Sequence, residues 1–266
     1  MEFQIFKPRE YLYHFRDPQG VCFTLIKGEK KSVLVDCGYG IYNVREMVEK
    51  YIDNDYIVIN THGHMDHTAG NYLFDEVFCP EGDLELFKEH NSKERRERNI
   101  RDAEEKGILP EGFNEEKYIN VDLNNTKPIK VGTIIDTGNF HIELIPMTGH
   151  TQGSIGLLIK EERLLLTGDA AINAIWLFLK ESTDRPTYIN MLKETKKLPF
   201  YSFITGHIMR EFPKKFFDYY IEVAEEATVE KSTPTKYSGF ERPNTYEYAK
   251  MYGDDRIAIC YQDPKE

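Results

Sequence analysis

Cysteine is sparse in this chain of 266 residues: Cys22, Cys37, Cys79 and Cys260 stand far apart with no CxxC pair. That spacing excludes a disulfide framework and leaves reduced, mostly buried thiols as the expectation. Basic charge is also short, with 34 Lys and Arg against 45 Asp and Glu and a formal net charge of -11. No cationic excess is available to displace counterions from a nucleic-acid backbone, so nucleic acid is not an expected partner. The first residues, Met1 to Ile5, lack the basic and apolar regions of a secretory leader. The longest apolar run, Ala170 to Leu179, is interrupted by Asn173 and is about half the length of a bilayer span. The cytoplasm is the default location, with no membrane partner. No Gly/Ser-rich or Pro-rich linker divides the chain, so a single domain over 1–266 is expected.

What is present suits a packed core, since 40% of residues are apolar and 13% aromatic. Short β-like runs at Val21 to Lys27, Ser32 to Asp36 and Tyr56 to Thr61 are separated by turn signals and by a helical pattern at Ile41 to Tyr51. A second block has strands at Ile129 to Asp136, Phe140 to Pro146, Ser154 to Ile159 and Arg163 to Thr167. It continues with a helix at Tyr188 to Leu198 and a strand at Tyr201 to Thr205. The fold class is α/β: two face-to-face mixed sheets with helices outside, an αββα sandwich.

Two regions read as additions. Residues 81–120 form a charged helical insert with no large apolar side chain between Lys88 and Asn99. It is expected to be a solvated excursion, with a lid or a homodimer contact as alternatives. Residues 229–266 form an aromatic-rich extension in which Tyr237, Phe240, Tyr246, Tyr248 and Tyr252 pack on the domain or wall a pocket.

The densest chemistry lies in Thr61-His62-Gly63-His64-Met65-Asp66-His67. His62 and His64, two apart, share one side of an extended segment and can converge on one ion. If the chain then turns into a helix, Asp66 and His67 reach toward a second. Three later strand-like runs each end in a glycine followed by a candidate ligand: Gly149-His150, Gly168-Asp169 and Gly206-His207. Singly such a pair is usually a turn or cap; together, five imidazoles and two carboxylates suit Zn²⁺ or a similar divalent ion. His14, His90 and His141 lack ligand-like neighbours and are read as surface or structural.

The run THGHMDHTAG resembles the HxHxDH signature of the metallo-β-lactamase superfamily, and the later His, Asp and His follow that family's order from about Val33 to His207. The resemblance implies an αββα fold and two divalent metals, with Zn the first choice and Fe or Mn the alternatives. His62, His64 and His150 would hold one ion, Asp66, His67 and His207 the other, with Asp169 bridging. Asp36, in Val35-Asp36-Cys37-Gly38, would support the metal loop. Gln152, Ile208 and Cys37 depart from residues common beside the ligands, and Cys37 is read as a buried turn residue rather than a nucleophile. The expected activity is metal-dependent hydrolysis of a small ester, thioester, lactone, amide or phosphodiester by a bridging hydroxide, with Asp66 as the proton carrier. Trp176, Phe178, Tyr188 and Arg210 are guesses for a side chain assisting in the pocket. The alternative is iron redox chemistry in the same fold; a nuclease is the weaker one.

Overall fold

A computed structural model describes residues 2–237, 240 and 242–263. The first sheet runs in chain order, β1 (Gln4–Arg9), β2 (Leu12–Arg16), β3 (Cys22–Ile26), β4 (Ser32–Val35), β5 (Tyr56–Ile59), β6 (Val77–Pro80) and β7 (Thr126–Ile129). It is antiparallel from β1 to β4 and parallel from β4 to β7. Between its strands lie α1 (Val44–Glu49), α2 (Met65–Thr68), α3 (Leu84–His90), α4 (Lys93–Glu105) and α5 (Glu115–Ile119). The second sheet takes β8 (Ile134–Asp136), β9 (His141–Pro146), β10 (Ile155–Ile159) and β11 (Leu164–Gly168). The chain leaves it for β12 (Ala174–Leu177) and α6 (Arg185–Lys196), and returns as β13 (Ser202–Thr205), parallel to β11, and β14 (Phe212–Pro213). The helix α7 (Phe216–Glu226) follows, and then β15 (Thr233–Pro234), β16 (Thr245–Tyr252) and β17 (Asp255–Gln262), which join β12 in a third sheet.

The two larger sheets face each other. Val33, Val35 and Ile59 of the first pack against Ile142, Leu157, Leu166 and Ile204 of the second. Val44 and Val48 of α1 cover the outer face of the first sheet; α6 and α7 cover the second through Met191, Leu192, Phe217 and Tyr220. This is the expected four-layer sandwich. Every residue of β3, β4, β10 and β11 is buried, as strands covered on both faces must be, and that explains why their sequences are continuous apolar runs rather than alternating ones. Among the described residues no helix is long and apolar enough to cross a membrane.

Two expectations are corrected and one gains detail. Residues 129–136 are not one strand: β7 ends the first sheet at Ile129, Gly132 turns at φ +83°, and β8 opens the second sheet at Ile134. The aromatic extension packs as expected, Tyr246, Tyr248 and Tyr252 lying on the core, and it does so as a hairpin of two eight-residue strands, β16 and β17, with β17 parallel to β12. The helical insert is not a solvated excursion. Its centre is Arg96, fully buried, whose guanidinium donates to Asn91 Oδ1 (2.7 Å), Ala69 O (3.1 Å) and Tyr118 O (3.3 Å) and lies 4.7 Å from the Tyr118 ring centroid. An arginine inside a charged run looked like solvent-facing charge, yet its flat, weakly hydrated head can be buried where carbonyls and rings receive it. Arg96 thus fastens α4 to the chain that follows α2, next to the HxHxDH run.

Replacing Arg96 with Met keeps most of the volume but removes the donor from four buried acceptors, Asn91 O included. The expected loss is about 2–4 kcal/mol of stability, read from urea denaturation; a change below about 0.5 kcal/mol would remove Arg96 from this role.

Candidate metal centre

The predicted ligands follow the C-terminal ends of β5, β9, β11 and β13, with Asp66 and His67 in α2, along one edge of the sandwich. β5 runs through Asn60 and Thr61 into His62, and His64 then occupies the N-cap position of α2 at φ -68° and ψ 148°. Its side chain makes no capping bond and is turned into the site, while Thr68 Oγ1 donates back to its carbonyl (2.9 Å). β9 leads to His150, β11 to Asp169 and β13 to His207. The parallel β11–β13 pairing sets Gly168 opposite Thr205, so Asp169 and His207 emerge side by side. The two sheets are bonded at this edge by Ile155 N to Thr61 O (2.9 Å) and Cys22 N to Gly206 O (2.8 Å).

The structure gathers the seven residues into two adjoining groups, His62 with His64 and His150, and Asp66 with His67, Asp169 and His207. Within each, the candidate ligand atoms are within 4.8 Å of one another. Asp169 faces both: its Oδ2 is 3.0 Å from His207 Nε2 and 3.9 Å from His150 Nε2, and its Oδ1 is 3.5 Å from His67 Nε2. Asp66 Oδ2 lies 3.3 Å from His67 Nε2 and 3.4 Å from His207 Nε2.

Each imidazole meets an acceptor with its outer nitrogen. His62 Nδ1 donates to Thr61 Oγ1 (3.0 Å), His64 Nε2 to Glu181 Oε1 (2.8 Å) and His67 Nδ1 to Asp36 Oδ2 (2.9 Å). His150 Nδ1 donates to Trp176 O (3.1 Å), and His207 Nδ1 to Gly20 O (3.3 Å). The opposite nitrogens point inward, His64 Nδ1 and His150 Nε2 lying 2.9 Å apart and His207 Nε2 3.0 Å from Asp169 Oδ2, and each would offer a metal its lone pair once neutral. Three inward atoms, His62 Nε2, His67 Nε2 and Asp169 Oδ1, are buried without any hydrogen-bond partner. Buried polar atoms are rarely orphaned, and divalent ions in these two groups would satisfy all three.

Asp36 supports the metal loop as the resemblance implies, whereas the other supporting residues carried no readable signal. Asp36, at φ +65°, accepts from Thr61 N (2.7 Å) and Thr61 Oγ1 (2.8 Å) besides His67. Asp83, inside the charged insert and buried, accepts from Gly63 N (2.8 Å), Gly153 N (2.8 Å) and Thr151 Oγ1 (2.6 Å), tying the His62–His64 loop to the loop after His150. Glu181 holds His64, and His90, read as lacking ligand-like neighbours, stacks on the His64 ring (4.7 Å between centroids) with its Nε2 3.7 Å from Glu181. His14 is structural, buried on Thr24 and Ile208 O, and His141 is an exposed partner of Glu161, both as expected. Only Gly168 of the three ligand-preceding glycines has positive φ (+52°). At Gly206 the reason is close approach, since a Cβ would fall 2.3 Å from Asp169 Oδ1.

Burial and then His67 set the balance at His62, holding its imidazole well below the usual range; burial, followed by His64, puts His150 at about 4. The second group behaves oppositely. Burial lowers His207 but Asp169 and Asp66 more than reverse it, to about 10, and for His67 burial is likewise overcome by Asp66, Asp169 and Asp36. A cleft of about 960 Å³ opens over the site, lined by Arg95 and Arg98 of α4, by Lys106 at its end and by Ile172, Trp176, Leu179 and Phe240. Of the guessed pocket side chains only Trp176 lines it. Phe178 is buried, Tyr188 is fully buried under Gly149, and Arg210 pairs with Asp255. Burial raises Cys37 well above an ordinary thiol, so it is no nucleophile.

The metallo-beta-lactamase superfamily profile matches residues 16–207. The chain belongs to the metallo-beta-lactamase superfamily. Among curated relatives, it is 25% identical over 157 residues to the human acyl-coenzyme A thioesterase MBLAC2, covering 54% of this chain and 56% of that one. It is 30% identical over 146 residues to a probable metallo-hydrolase of Methanocaldococcus jannaschii (53% and 62%) and 22% over 150 residues to the hydroxyacylglutathione hydrolase GloC of Haemophilus influenzae (56% and 65%). The chain therefore spans between just over half and about two thirds of these relatives' lengths. The sec-alkylsulfatase Pisa1 of Pseudomonas sp. superposes with a TM-score of 0.62 at 17% identity, over 84% of this chain and 41% of that one. A metallo-beta-lactamase of Pontibacter korlensis gives 0.58 at 12%, over 85% and 100%. These structures share the superfamily fold.

Two measurements follow from the geometry. Metal ligation needs neutral imidazoles, and the second group holds His67 and His207 protonated at pH 7, so filling it should release about two protons while the already neutral His62 and His150 release none. Apparent affinity of the second ion then falls as pH falls; calorimetry in buffers of different ionisation enthalpy reads the release, and equal release from both ions would contradict it. Replacing Glu181 with Ala frees His64 to turn and should weaken metal binding roughly 10–100-fold, checked by competition with a chromogenic chelator.

Proposed function

We propose that the chain is a binuclear metal-dependent hydrolase acting on thioesters, with Zn²⁺ as the working ion. The observation that carries this reading is the convergence of five oriented imidazoles and two carboxylates on orphaned inward atoms at the floor of an open cleft. The names of two relatives, an acyl-coenzyme A thioesterase and a hydroxyacylglutathione hydrolase, support the thioester as the bond cleaved.

His62, His64 and His150 would hold one ion, Asp66, His67 and His207 the other, and Asp169 both. Bound there, divalent ions activate a water and polarise the scissile carbonyl, and the net positive charge of such a centre attracts a polarised acyl group despite the acidic surface. The chain's own residues do the rest. Asp36, Thr61 and Glu181 keep the imidazoles from turning. Asp66 faces the cleft with its side chain 21% exposed. Burial raises its carboxyl, but His67 and His207 hold it well below the ordinary range, so it is anionic, the form that would take the proton from water. Passing that proton to the departing sulfur as the C–S bond breaks yields a carboxylic acid and a free thiol.

Elemental analysis of protein purified without added metal, followed by a panel of thioesters, esters, lactones, phosphodiesters and β-lactams, tests the reading. Thioesters should turn over fastest. Stoichiometric iron with oxygen consumption would overturn it in favour of redox chemistry. Asp66→Asn should keep the fold and lower kcat by about 100-fold or more; unchanged kcat in a metal-replete variant would remove Asp66 from proton transfer.

A further inference from the structure

Part of the cleft, Phe240 and Arg242, is built from chain beyond residues 16–207, which the family profile matches. After Asp169 the backbone supplies Ile172, Ala174, Trp176 and Leu179 to the lining, and the extension adds Phe240 and Arg242. The aromatic members form one stack. The Trp176 ring lies 4.7 Å from Tyr237, 5.2 Å from Phe178 and 5.5 Å from Phe240, and Tyr237 lies nearly parallel to Phe178 at 11°. The stack is fixed from beneath, because the Tyr237 hydroxyl donates to Glu247 Oε2 (2.9 Å) and lies 2.8 Å from Cys260 Sγ, and Trp176 pairs with Cys260 in the β12–β17 ladder.

This surface reaches the metal centre directly, since the carbonyl of Trp176 holds His150 Nδ1. Phe240 keeps 40% of its surface in water and Trp176 is half-buried. Single exposed rings need no explanation, but rings joined to Ile172, Ala174 and Leu179 in one concave lining make a continuous apolar patch beside reactive groups, the arrangement a small-molecule site uses. The α4 side of the same lining carries charges of both signs, Arg95, Arg98 and Lys106 among Glu89, Glu94 and Asp102.

We infer that the wall of Trp176 and Phe240 holds a straight aliphatic acyl chain of the substrate, with the carbonyl end at the metal centre and the thiol-bearing leaving group left to the charged lining of α4. The inference rests on the hydrolase reading for the identity of the acyl group, while the apolar site itself can be measured without turnover.

Trp176 is the only tryptophan of the chain, so its fluorescence reports on this wall alone. Zinc-loaded protein is titrated with straight-chain carboxylates from butanoate to octanoate. Quenching should saturate, and Kd should tighten about two- to fourfold per added methylene. Phe240→Ser, at a ring already 40% exposed, should leave the circular dichroism spectrum unchanged and flatten that dependence. No quenching, a Kd independent of chain length, or an unaltered dependence in Phe240→Ser would each overturn the site. Length-dependent quenching without hydrolysis of any thioester would overturn the reaction and leave the site standing. Thioester hydrolysis with length-independent quenching would do the reverse.

Discussion

The carboxylate of Asp36 is the constraint on which the metal loop depends. Its backbone sits at φ +65°, a conformation costly for a side-chain-bearing residue, and the three hydrogen bonds it receives from Thr61 and His67 hold it there. Because Thr61 Oγ1, once bonded to Asp36, turns its lone pair toward His62 Nδ1, one buried carboxylate orients an imidazole in each of the two ligand groups. The strain at the end of β4 is thus offset by order at the end of β5. Asp83 does the equivalent between the sheets, joining the loop of His62 to that of His150 through two backbone amides and a hydroxyl.

Such close assembly also explains the glycines. Around Asp169 and His67 there is no room for a further carbon at residue 206, and Gly63 would push a Cβ to 2.8 Å from the carbonyl of Asp83. These positions are small because two loops and two side chains share the same space, whereas Gly168 also needs its left-handed backbone. An imidazole whose outer nitrogen is bonded and whose loop is pressed against its neighbour cannot turn away when the ion leaves. The ligands are preorganised, so little ordering remains to oppose metal binding.

Much of this could be read from the chain itself. Ligand spacing, glycine punctuation and apolar strands announced the centre and the sandwich, since each follows from a local rule with a fixed period. What could not be read was non-local. Glu181 and Asp83 are two acids among 45, and nothing near them in sequence distinguishes a carboxylate that meets an imidazole 117 residues away from one that meets water. Arg96 sits in a run whose composition says solvent, and only the carbonyls of Ala69 and Tyr118 say otherwise. The break at Gly132 was hidden because both flanking segments are genuine strands, and their allegiance to different sheets is decided by pairing.

The supports of the five imidazoles divide into two kinds, and the division bears on how one centre serves different clefts. His62, His64 and His67 lean on side chains, Thr61, Glu181 and Asp36, which cannot change without releasing a ligand. His150 and His207 lean on the backbone carbonyls of Trp176 and Gly20. A carbonyl is indifferent to the side chain its residue bears, so the ring of Trp176 is free to be chosen for the substrate while its backbone goes on holding the metal ligand. The β12–β17 ladder keeps that carbonyl in place without calling on the ring. Chemistry and selectivity thereby meet at a single residue without competing for the same atoms.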